Sequence, residues 1–333
     1  MISNKNSLSL FEDYIIMERV AILTGGDSAE YNISLLSADT VLKNLNKKKY
    51  DAIIVHLKND IYTIDGKEID QTDFSYISGN TRIYFDKIFI ALHGTPAEDG
   101  LIQDYFDNLQ IPYSSCNSEI SALTFDKFNC NKKLHKLGFR CPKSILIYDK
   151  KEIVTSEIIN EIGLPLFVKP NKSGSSCGIS KVSKESQLSM AIQNAFQHDK
   201  QIIIERSVNG TEVSCGVYSD GNQVNPLPIT EIISENEFFD YEAKYNGKSK
   251  EITPARITKK LTSLIQETTM EIYKKMNLSG ICRIDFIIEK NKPYIIEINT
   301  IPGLSEESII PKQLEEAKIS LSEIFDLCLI NIN

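Results

Sequence analysis

The chain has 333 residues, of which 41% are hydrophobic and 25% charged, a composition that is ordinary for a soluble globular protein of two or three domains. The net charge of −8 argues against a nucleic-acid partner, since such proteins carry a basic surface. No run approaches the ~20 apolar residues of a membrane span, and residues 1–16 lack the apolar region of a signal peptide. The seven cysteines show no close pairing, so we expect free thiols in a cytoplasmic protein without a membrane partner.

The first part of the chain alternates strands with helices. We predict, in order, a strand over 19–24, a helix over 33–45, strands over 51–57 and 87–92, and a helix over 101–109. This alternation indicates a mostly parallel open sheet, which binds ligands at the carboxyl ends of its strands. Glu30 follows one such end, although Glu30 alone is more readily explained as a charge that caps the first helix. His93, Glu98 and Asp99 follow another, where ordinary turn chemistry is the alternative.

The middle of the chain contains a candidate phosphate site. We predict one or two helices over 118–137, a strand over 144–148, a helix over 156–162, strands over 166–170, 201–205 and 212–218, and a helix over 259–276. Lys169 ends a buried strand just before the loop 171–178, whose Gly and Ser residues can expose backbone N–H groups to an anion. The loop matches neither the GxxxxGK[ST] nor the GxGxxG pattern, which disfavours a P-loop or Rossmann site. A flexible hairpin loop is the alternative.

The run from 283 to 299 is predicted to form a hairpin. Counting back from a three-residue loop, Lys290–Lys292, places Asp285 directly opposite Glu297, with Asn299 on the same face. Opposed like charges destabilise a strand pair, and a bound Mg²⁺ with phosphate ligands would remove that conflict. The alternative is an edge hairpin whose acidic face lies in water.

Eight ordered motifs carry a resemblance to a known family. They are Gly25-Gly26-x-Ser28-Ala29-Glu30, His93-Gly94, Glu98-Asp99-Gly100, Lys169-Pro170, Gly174-Ser175-Ser176-x-Gly178, Asp240-Tyr241-Glu242-Ala243-Lys244-Tyr245, Arg283-x-Asp285 and Glu297-x-Asn299-x-x-Pro302-Gly303. From Met17 to the C terminus the chain closely resembles the D-alanine–D-alanine ligases of the ATP-grasp superfamily. The resemblance implies an α/β fold, α+β towards the C terminus, in which ATP is held between two sheets.

The resemblance also implies an organisation and a reaction. A loose extension over 1–16 would precede a substrate-binding domain over 17–115, a central ATP-grasp domain over 116–211 and a catalytic ATP-grasp domain over 212–333. The enzyme would use ATP to join two D-alanine molecules through a D-alanyl phosphate, for peptidoglycan synthesis. Two Mg²⁺ per site are expected, with Mn²⁺ as a substitute, and the family is usually homodimeric.

Roles are carried over position by position. The implied ATP-binding residues are Lys127, Lys169, Ser175, Glu205, Glu212 and Lys244, with Glu205 at the adenine and Glu212 at the ribose. The implied metal ligands are Asp285, Glu297 and Asn299. The implied catalytic and substrate-binding residues are Glu30, His93, Ser175, Tyr245, Arg283, Gly303 and Ser308. Among these, Glu30 would bind the first ammonium group, Arg283 and the Gly303 N–H an oxyanion, and Ser308 the second carboxylate.

Some positions depart from the family pattern. Pro96 and Ala97 stand where a glycine is usual, and Ser207 stands where an aromatic residue is frequent. Tyr245 favours D-alanine over D-lactate as the second substrate, and Ser175 with Tyr245 is our candidate for accepting the amine proton. Two alternatives stay open: another ATP-grasp carboxylate–amine ligase, such as a D-Ala–D-Ser ligase, and a nucleotide-binding protein without turnover.

Overall fold

The structure is a computed structural model that describes residues 17–148, 154–174, 177–234 and 249–331. Its N-terminal sheet follows the order β4-β3-β2-β1-β7, and β1 pairs in parallel with both β2 and β7. The elements of this part are β1 (Glu18–Gly25), α1 (Tyr31–Asn44), β2 (Tyr50–Lys58), β3 (Ile61–Ile64), β4 (Lys67–Glu68), β5 (Tyr76–Ser78), β6 (Thr81–Ile83), β7 (Lys87–Ile90) and α2 (Leu101–Leu109). The predicted open, mostly parallel sheet is therefore present, with an antiparallel extension at one edge.

The central sheet is antiparallel and follows the order β10-β9-β11-β8. Its elements are α3 (Ser118–Phe125), α4 (Lys127–Lys136), β8 (Ser144–Ile147), α5 (Thr155–Ile162), β9 (Leu166–Pro170), β10 (Ser180–Val182), α6 (Leu188–Ala195) and β11 (Ile202–Arg206). The predicted helical region over 118–137 divides at Asp126, because its side chain caps α4 by accepting the N–H of Asn129 at 3.0 Å. Lys127 thus becomes the first residue of α4.

The C-terminal sheet is antiparallel as well, and its strands follow the order β15-β14-β12-β16-β17, with β13 beside β12. Its elements are β12 (Thr211–Ser219), β13 (Val224–Pro226), β14 (Thr230–Ser234), β15 (Ser249–Ile252), α7 (Lys259–Lys275), β16 (Cys282–Glu289), β17 (Lys292–Asn299), α8 (Ile309–Ala317) and α9 (Leu321–Ile330). Apart from Thr211, the first residue of β12, the three sheets fall within the segments predicted as domains, whose boundaries stay a prediction.

The β16–β17 turn is shorter than predicted. It contains two residues, Lys290 and Asn291, whose φ angles of 51° and 61° belong to the left-handed region. Glu289 therefore pairs with Lys292, and the predicted three-residue loop is wrong. Two-residue hairpin turns of this kind match the natural twist of the flanking strands.

A β-bulge restores the register that the shorter turn shifts. Phe286 pairs with Ile295, but Asp285 pairs with Glu297, so Ile296 is the extra residue. The two carboxylate residues are opposed as predicted, although the geometry that opposes them is different.

Two apolar clusters fix the segment that follows β17. Ile301 is 5% exposed and packs with the core of the N-terminal sheet, in the same cluster as Leu23 and Leu92. Leu304 is 3% exposed and lies in the cluster that joins α1 to α9. The seven cysteines are free thiols, as predicted. Among the described residues, no helix has the length and apolar character needed to cross a membrane.

Candidate active site

Two adjoining cavities lie where the three sheets approach one another. The large cavity has a volume of about 360 Å³ and the small cavity about 130 Å³. Ser173, Gly174 and Glu297 line both. The small cavity lies between the central sheet, through Lys169 of β9, and the C-terminal sheet, through Asp285 of β16. A ligand in the small cavity would therefore lie next to one in the large cavity.

The predicted site residues divide between these cavities. The large cavity is lined by Glu30, His93, Arg283, Glu297, Asn299, Gly303 and Ser308. The small cavity is lined by Lys127, Lys169, Glu205, Glu212, Asp285 and Glu297. Every predicted residue that the structure describes thus lies at one continuous site. Ser175, Lys244 and Tyr245 lie outside the described residues.

The Asp285 carboxylate is held by four hydrogen bonds. The Arg283 guanidinium donates to both oxygens, from Nε and Nη2, at 2.9 Å each. Ser214 on β12 donates from Oγ at 2.6 Å, and Asn299 donates from Nδ2 at 3.0 Å. Arg283 and Asp285 are two positions apart on β16 and so share one face. The bidentate contact fixes the plane of the guanidinium, which also lines the large cavity.

Lys127 joins the central loop to the hairpin. Its Nζ donates to the Ser173 carbonyl at 2.7 Å and forms an ion pair with Glu297 at 3.2 Å. Asn171 fixes this arrangement, because its Nδ2 donates to Asp126 at 3.0 Å and its Oδ1 accepts the Phe128 N–H at 2.9 Å. The first turn of α4 and the loop after β9 are therefore locked together beside the carboxylates.

Lys169 forms the closest ion pair in the small cavity. Its Nζ lies 2.6 Å from Glu205 Oε2, and Asn131 donates to the other carboxylate oxygen at 2.8 Å. The side chains of Lys169 and Glu205 are 13% and 5% exposed, and removing either partner would leave a nearly buried charge unpaired. The two residues lie on neighbouring strands, β9 and β11, where Lys169 pairs with Ile203.

His93 uses both ring nitrogens within the protein. Nδ1 lies 3.0 Å from the Ile301 carbonyl, and Nε2 lies 2.9 Å from Ser37 Oγ on α1. Burial, reinforced by the Arg283 charge, lowers the pKa of the imidazole, while the Glu30 carboxylate acts in the opposite direction. A substrate contact through the ring, as predicted, would replace one of these hydrogen bonds.

Glu30 immediately precedes α1, and its side chain makes no capping hydrogen bond. A charge that acts on the helix dipole needs no such bond, so this alternative stays open. An added Cβ at Gly174 would lie 3.4 Å from Glu30 Oε2, so the central loop comes close to this carboxylate. Glu30 lines the large cavity, where a carboxylate can bind an ammonium group. The Ser308 hydroxyl lies at the same cavity, 2.7 Å from Ser305 Oγ.

Sequence reasoning placed Glu98 near the site without giving it a role, and it did not predict Ser37 or Ser214, which contact His93 and Asp285. Glu98 lines the large cavity, and burial together with the Glu30 and Glu297 carboxylates raises its pKa to about 8. Its place in the Glu98-Asp99-Gly100 motif was a usable signal. Ser37 lies seven positions after Glu30, a spacing that places both residues on the same side of the helix. This spacing was a second usable signal.

The residues around Asp285 and Glu297 provide oxygen ligands for a hard cation. Two carboxylates and the Asn299 amide oxygen suit Mg²⁺, which is commonly held by one or two carboxylates together with substrate phosphates. Among the described residues, no group of three or more His, Cys, Asp or Glu side chains is arranged to hold a metal. A cation here would therefore depend on ligands that a phosphate supplies.

Two family models match the chain, D-ala D-ala ligase N-terminus over residues 19–116 and D-ala D-ala ligase C-terminus over residues 143–330. The chain belongs to the D-alanine–D-alanine ligase family. A relative in Flavobacterium johnsoniae, named D-alanine–D-alanine ligase, is 47% identical over 314 residues, which cover 93% of this chain and 97% of the relative. A second, from Azobacteroides pseudotrichonymphae, is 46% identical over 316 residues, 92% of this chain and 98% of the relative.

Solved structures share the fold of this family member. D-alanyl-alanine synthetase A from Vibrio cholerae superposes with a TM-score of 0.85 at 28% identity, covering 95% of this chain and 98% of that one. The VanG D-Ala:D-Ser ligase from Enterococcus faecalis superposes with a TM-score of 0.83 at 31% identity, covering 94% of this chain and 98% of that one. A D-alanine–D-alanine ligase from Bacillus anthracis, complexed with ATP, superposes with a TM-score of 0.76 at 26% identity, covering 93% of this chain and 96% of that one. The predicted family and ATP-grasp fold are confirmed.

Proposed function

We propose that this protein joins two D-alanine molecules to D-alanyl-D-alanine, converting ATP to ADP and phosphate. The observation that carries the proposal is the pair of cavities that meet at Glu297. Lysines and the opposed carboxylates line one cavity, and Glu30, Arg283 and Ser308 line the other. Relatives that are 40–47% identical bear the name D-alanine–D-alanine ligase, which favours D-alanine as both substrates.

The small cavity is the proposed ATP site. Lys127 and Lys169 line it, and their charges suit the nucleotide phosphates. Glu205 and Glu212 line it as well, where carboxylates can accept hydrogen bonds from the adenine amine and the ribose hydroxyls. Since Lys169 is paired with Glu205, a phosphate competes with a protein carboxylate for this lysine.

Asp285, Glu297 and Asn299 are the proposed ligands of two Mg²⁺, which Mn²⁺ can replace. Bound there, the cations would neutralise the charge that develops during phosphoryl transfer. The protein prepares these ligands in advance, because Arg283, Ser214 and Asn299 orient the Asp285 carboxylate and Lys127 orients that of Glu297.

The large cavity is the proposed site of both amino acids. Glu30 binds the ammonium group of the first D-alanine, whose carboxylate then attacks the γ-phosphorus of ATP and forms a D-alanyl phosphate. Ser308 binds the carboxylate of the second D-alanine, whose amine attacks the acyl carbon and displaces phosphate. Arg283 and the Gly303 N–H donate to the oxyanion of the tetrahedral intermediate, and one such donor contributes roughly 3 kcal/mol in other enzymes.

The decisive experiment is phosphate release from Mg·ATP with D-alanine as the only amino acid. We expect D-alanine-dependent release together with D-alanyl-D-alanine as the product. D-Serine and D-lactate, each added with D-alanine, test the second position. Faster formation of a mixed product than of D-alanyl-D-alanine at neutral pH would reject the proposed specificity, and ATP binding without release would indicate a protein that only binds nucleotide.

Further features rest on family membership. We propose the division into domains over 17–115, 116–211 and 212–333, a homodimeric assembly and a cytoplasmic location with no nucleic-acid or membrane partner. Size-exclusion chromatography with light scattering tests the assembly. Limited proteolysis tests the boundaries, since cleavage concentrates in exposed segments between domains.

A further inference from the structure

A hydrogen-bonded chain connects α1 to the loop after β17. Ser37 Oγ lies 2.9 Å from His93 Nε2 and accepts the Leu304 N–H at 3.2 Å. His93 Nδ1 lies 3.0 Å from the Ile301 carbonyl. Ser37 is fully buried and His93 is 3% exposed. The segment 301–304 is therefore held by one hydrogen bond at each of its ends.

The chemistry of the partners allows the hydrogens in this chain to be assigned. A carbonyl oxygen only accepts, so Nδ1 of His93 carries the ring hydrogen and donates it to Ile301. A backbone N–H only donates, so Ser37 Oγ accepts from Leu304, and His93 Nε2 is the other hydrogen-bond partner that the structure gives this hydroxyl. We therefore assign the Ser37 hydrogen to a bond donated to Nε2. The imidazole is therefore neutral, in agreement with the direction in which burial moves its pKa. The charged groups that act on the ring are Glu30 at the start of α1 and Arg283 on β16.

The segment 301–304 contains Gly303, which lines the large cavity. Ile301 and Leu304 pack in two different apolar clusters. Pro302 and Gly303, which lie between them, line the large cavity together with Ile301. A side chain at Gly303 would approach Ser308 Oγ to 2.7 Å, which shows how closely this backbone passes the proposed anchor of the second carboxylate.

We propose that Ser37 is a positioning residue for ligation: its hydroxyl holds the segment 301–304 against His93 and so keeps the Gly303 N–H directed into the large cavity. The inference rests on the proposed function, which makes that N–H a donor to the oxyanion. Ser37 touches neither cavity, and its effect on the reaction passes through His93 and Leu304. Losing an oxyanion donor lowers kcat by roughly 100- to 1,000-fold in other enzymes. Loosening the donor should therefore lower kcat by roughly 10- to 100-fold.

Ser34 provides a matched control. It lies one turn earlier on α1, is equally buried, and accepts the His93 backbone N–H at 3.0 Å. Its hydroxyl donates to the Glu30 carbonyl at 3.2 Å. Ser34→Ala thus removes a buried hydroxyl that contacts His93 but leaves the contact between Ser37 and the segment 301–304 in place.

The test compares kcat and the KM values for ATP and D-alanine in the full-length protein. Ser37→Ala should lower kcat at least tenfold with the KM for ATP within about twofold of wild type, whereas Ser34→Ala should keep kcat within about threefold despite a similar loss of thermal stability. Ser37→Thr, which keeps the hydroxyl, should recover most of the lost kcat. Equal losses in the two alanine variants, or wild-type kcat in Ser37→Ala, would overturn the inference.

Two further measurements keep the inference testable. If Ser37→Ala does not fold, Ser37→Cys keeps the volume but is a weak donor and acceptor, and wild-type kcat in that variant would overturn the inference. Nitrogen-15 NMR of the imidazoles, four in this chain, should show His93 as the neutral Nδ1–H tautomer without any need for activity. A wild-type protein that shows this tautomer but no ligation would refute the proposed function and leave the hydrogen-bonded chain intact. The other tautomer would refute the chain itself.

Discussion

Glu98 makes the stability of this protein depend on pH. Its carboxyl lies half-buried at the large cavity, where burial and the Glu30 and Glu297 carboxylates raise its pKa to about 8 from an ordinary 4.5. Because the folded state has the higher pKa, it holds the proton more tightly than the unfolded chain does. The stability associated with this group is therefore complete below about pH 4.5 and is lost as the pH rises towards 8.

The size of the effect follows from the two pKa values. Each unit of difference corresponds to about 1.4 kcal/mol, so the shift sets an upper limit of about 5 kcal/mol on the loss of unfolding free energy. Cavity water screens the neighbouring charges, and we expect about 2 kcal/mol between pH 5 and 8. Glu98→Gln keeps the shape of the side chain and removes the titration, so the variant should gain stability relative to wild type as the pH rises.

Thermal unfolding at pH 5, 6, 7 and 8, without nucleotide or Mg²⁺, measures this difference. The midpoint of Glu98→Gln minus that of wild type should increase steadily by a few degrees over the series. Asp99→Asn is the control, because it neutralises the next carboxylate along the chain, which does not line the large cavity. If the unfolding midpoints of Glu98→Gln and wild type change in parallel with pH, this carboxyl is not the source of the pH dependence.

Three further predictions concern the nucleotide side of the site. Glu297→Ala should abolish ATP-dependent phosphate release in a protein with an unchanged circular dichroism spectrum, and near-normal release would remove Glu297 from the metal ligands. Lys169→Met should weaken ATP binding at least tenfold in calorimetry; adding Glu205→Gln should restore thermal stability, by removing the unpaired buried charge, without restoring affinity. Ser214→Ala removes the 2.6 Å hydrogen bond to Asp285. This variant should need a roughly tenfold higher Mg²⁺ concentration for half-maximal activity, while its KM for D-alanine stays unchanged. An unchanged Mg²⁺ requirement would contradict this prediction.

The hydrophobic pattern of the sequence predicted those strands and helices in which buried and exposed residues follow a regular period. The strand over 166–170 and the helix over 101–109 have the predicted bounds, because alternation and the 3.6-residue period are strong in both. The helices α8 and α9 were not predicted. Helix α8 begins Ile309-Ile310-Pro311, a run that local propensity does not distinguish from a strand end, and its position depends on packing against β12.

The hairpin shows what local pattern could not supply. A two-residue turn alone would have placed Asp285 opposite Ile296, and Glu297 would then point to the other face. The bulge that prevents this adds one residue without changing the composition of either strand, so the sequence contains no local sign of it. The right pair was obtained because two departures from the predicted geometry cancelled.

The charges around the hairpin also correct the reason for expecting a metal. Asp285 and Glu297 are opposed, but Arg283 forms an ion pair with the first and Lys127 with the second, so protein cations already offset the two carboxylates. Opposed acids alone therefore do not require Mg²⁺. Under the proposed function the balance has a different consequence. Because the four side chains carry no net charge, they leave the charge of a nucleoside triphosphate uncompensated, and cations that arrive with the nucleotide would offset it. Two divalent ions supply that compensation, and a variant that removes Lys127 should raise the affinity for Mg²⁺ while lowering that for ATP.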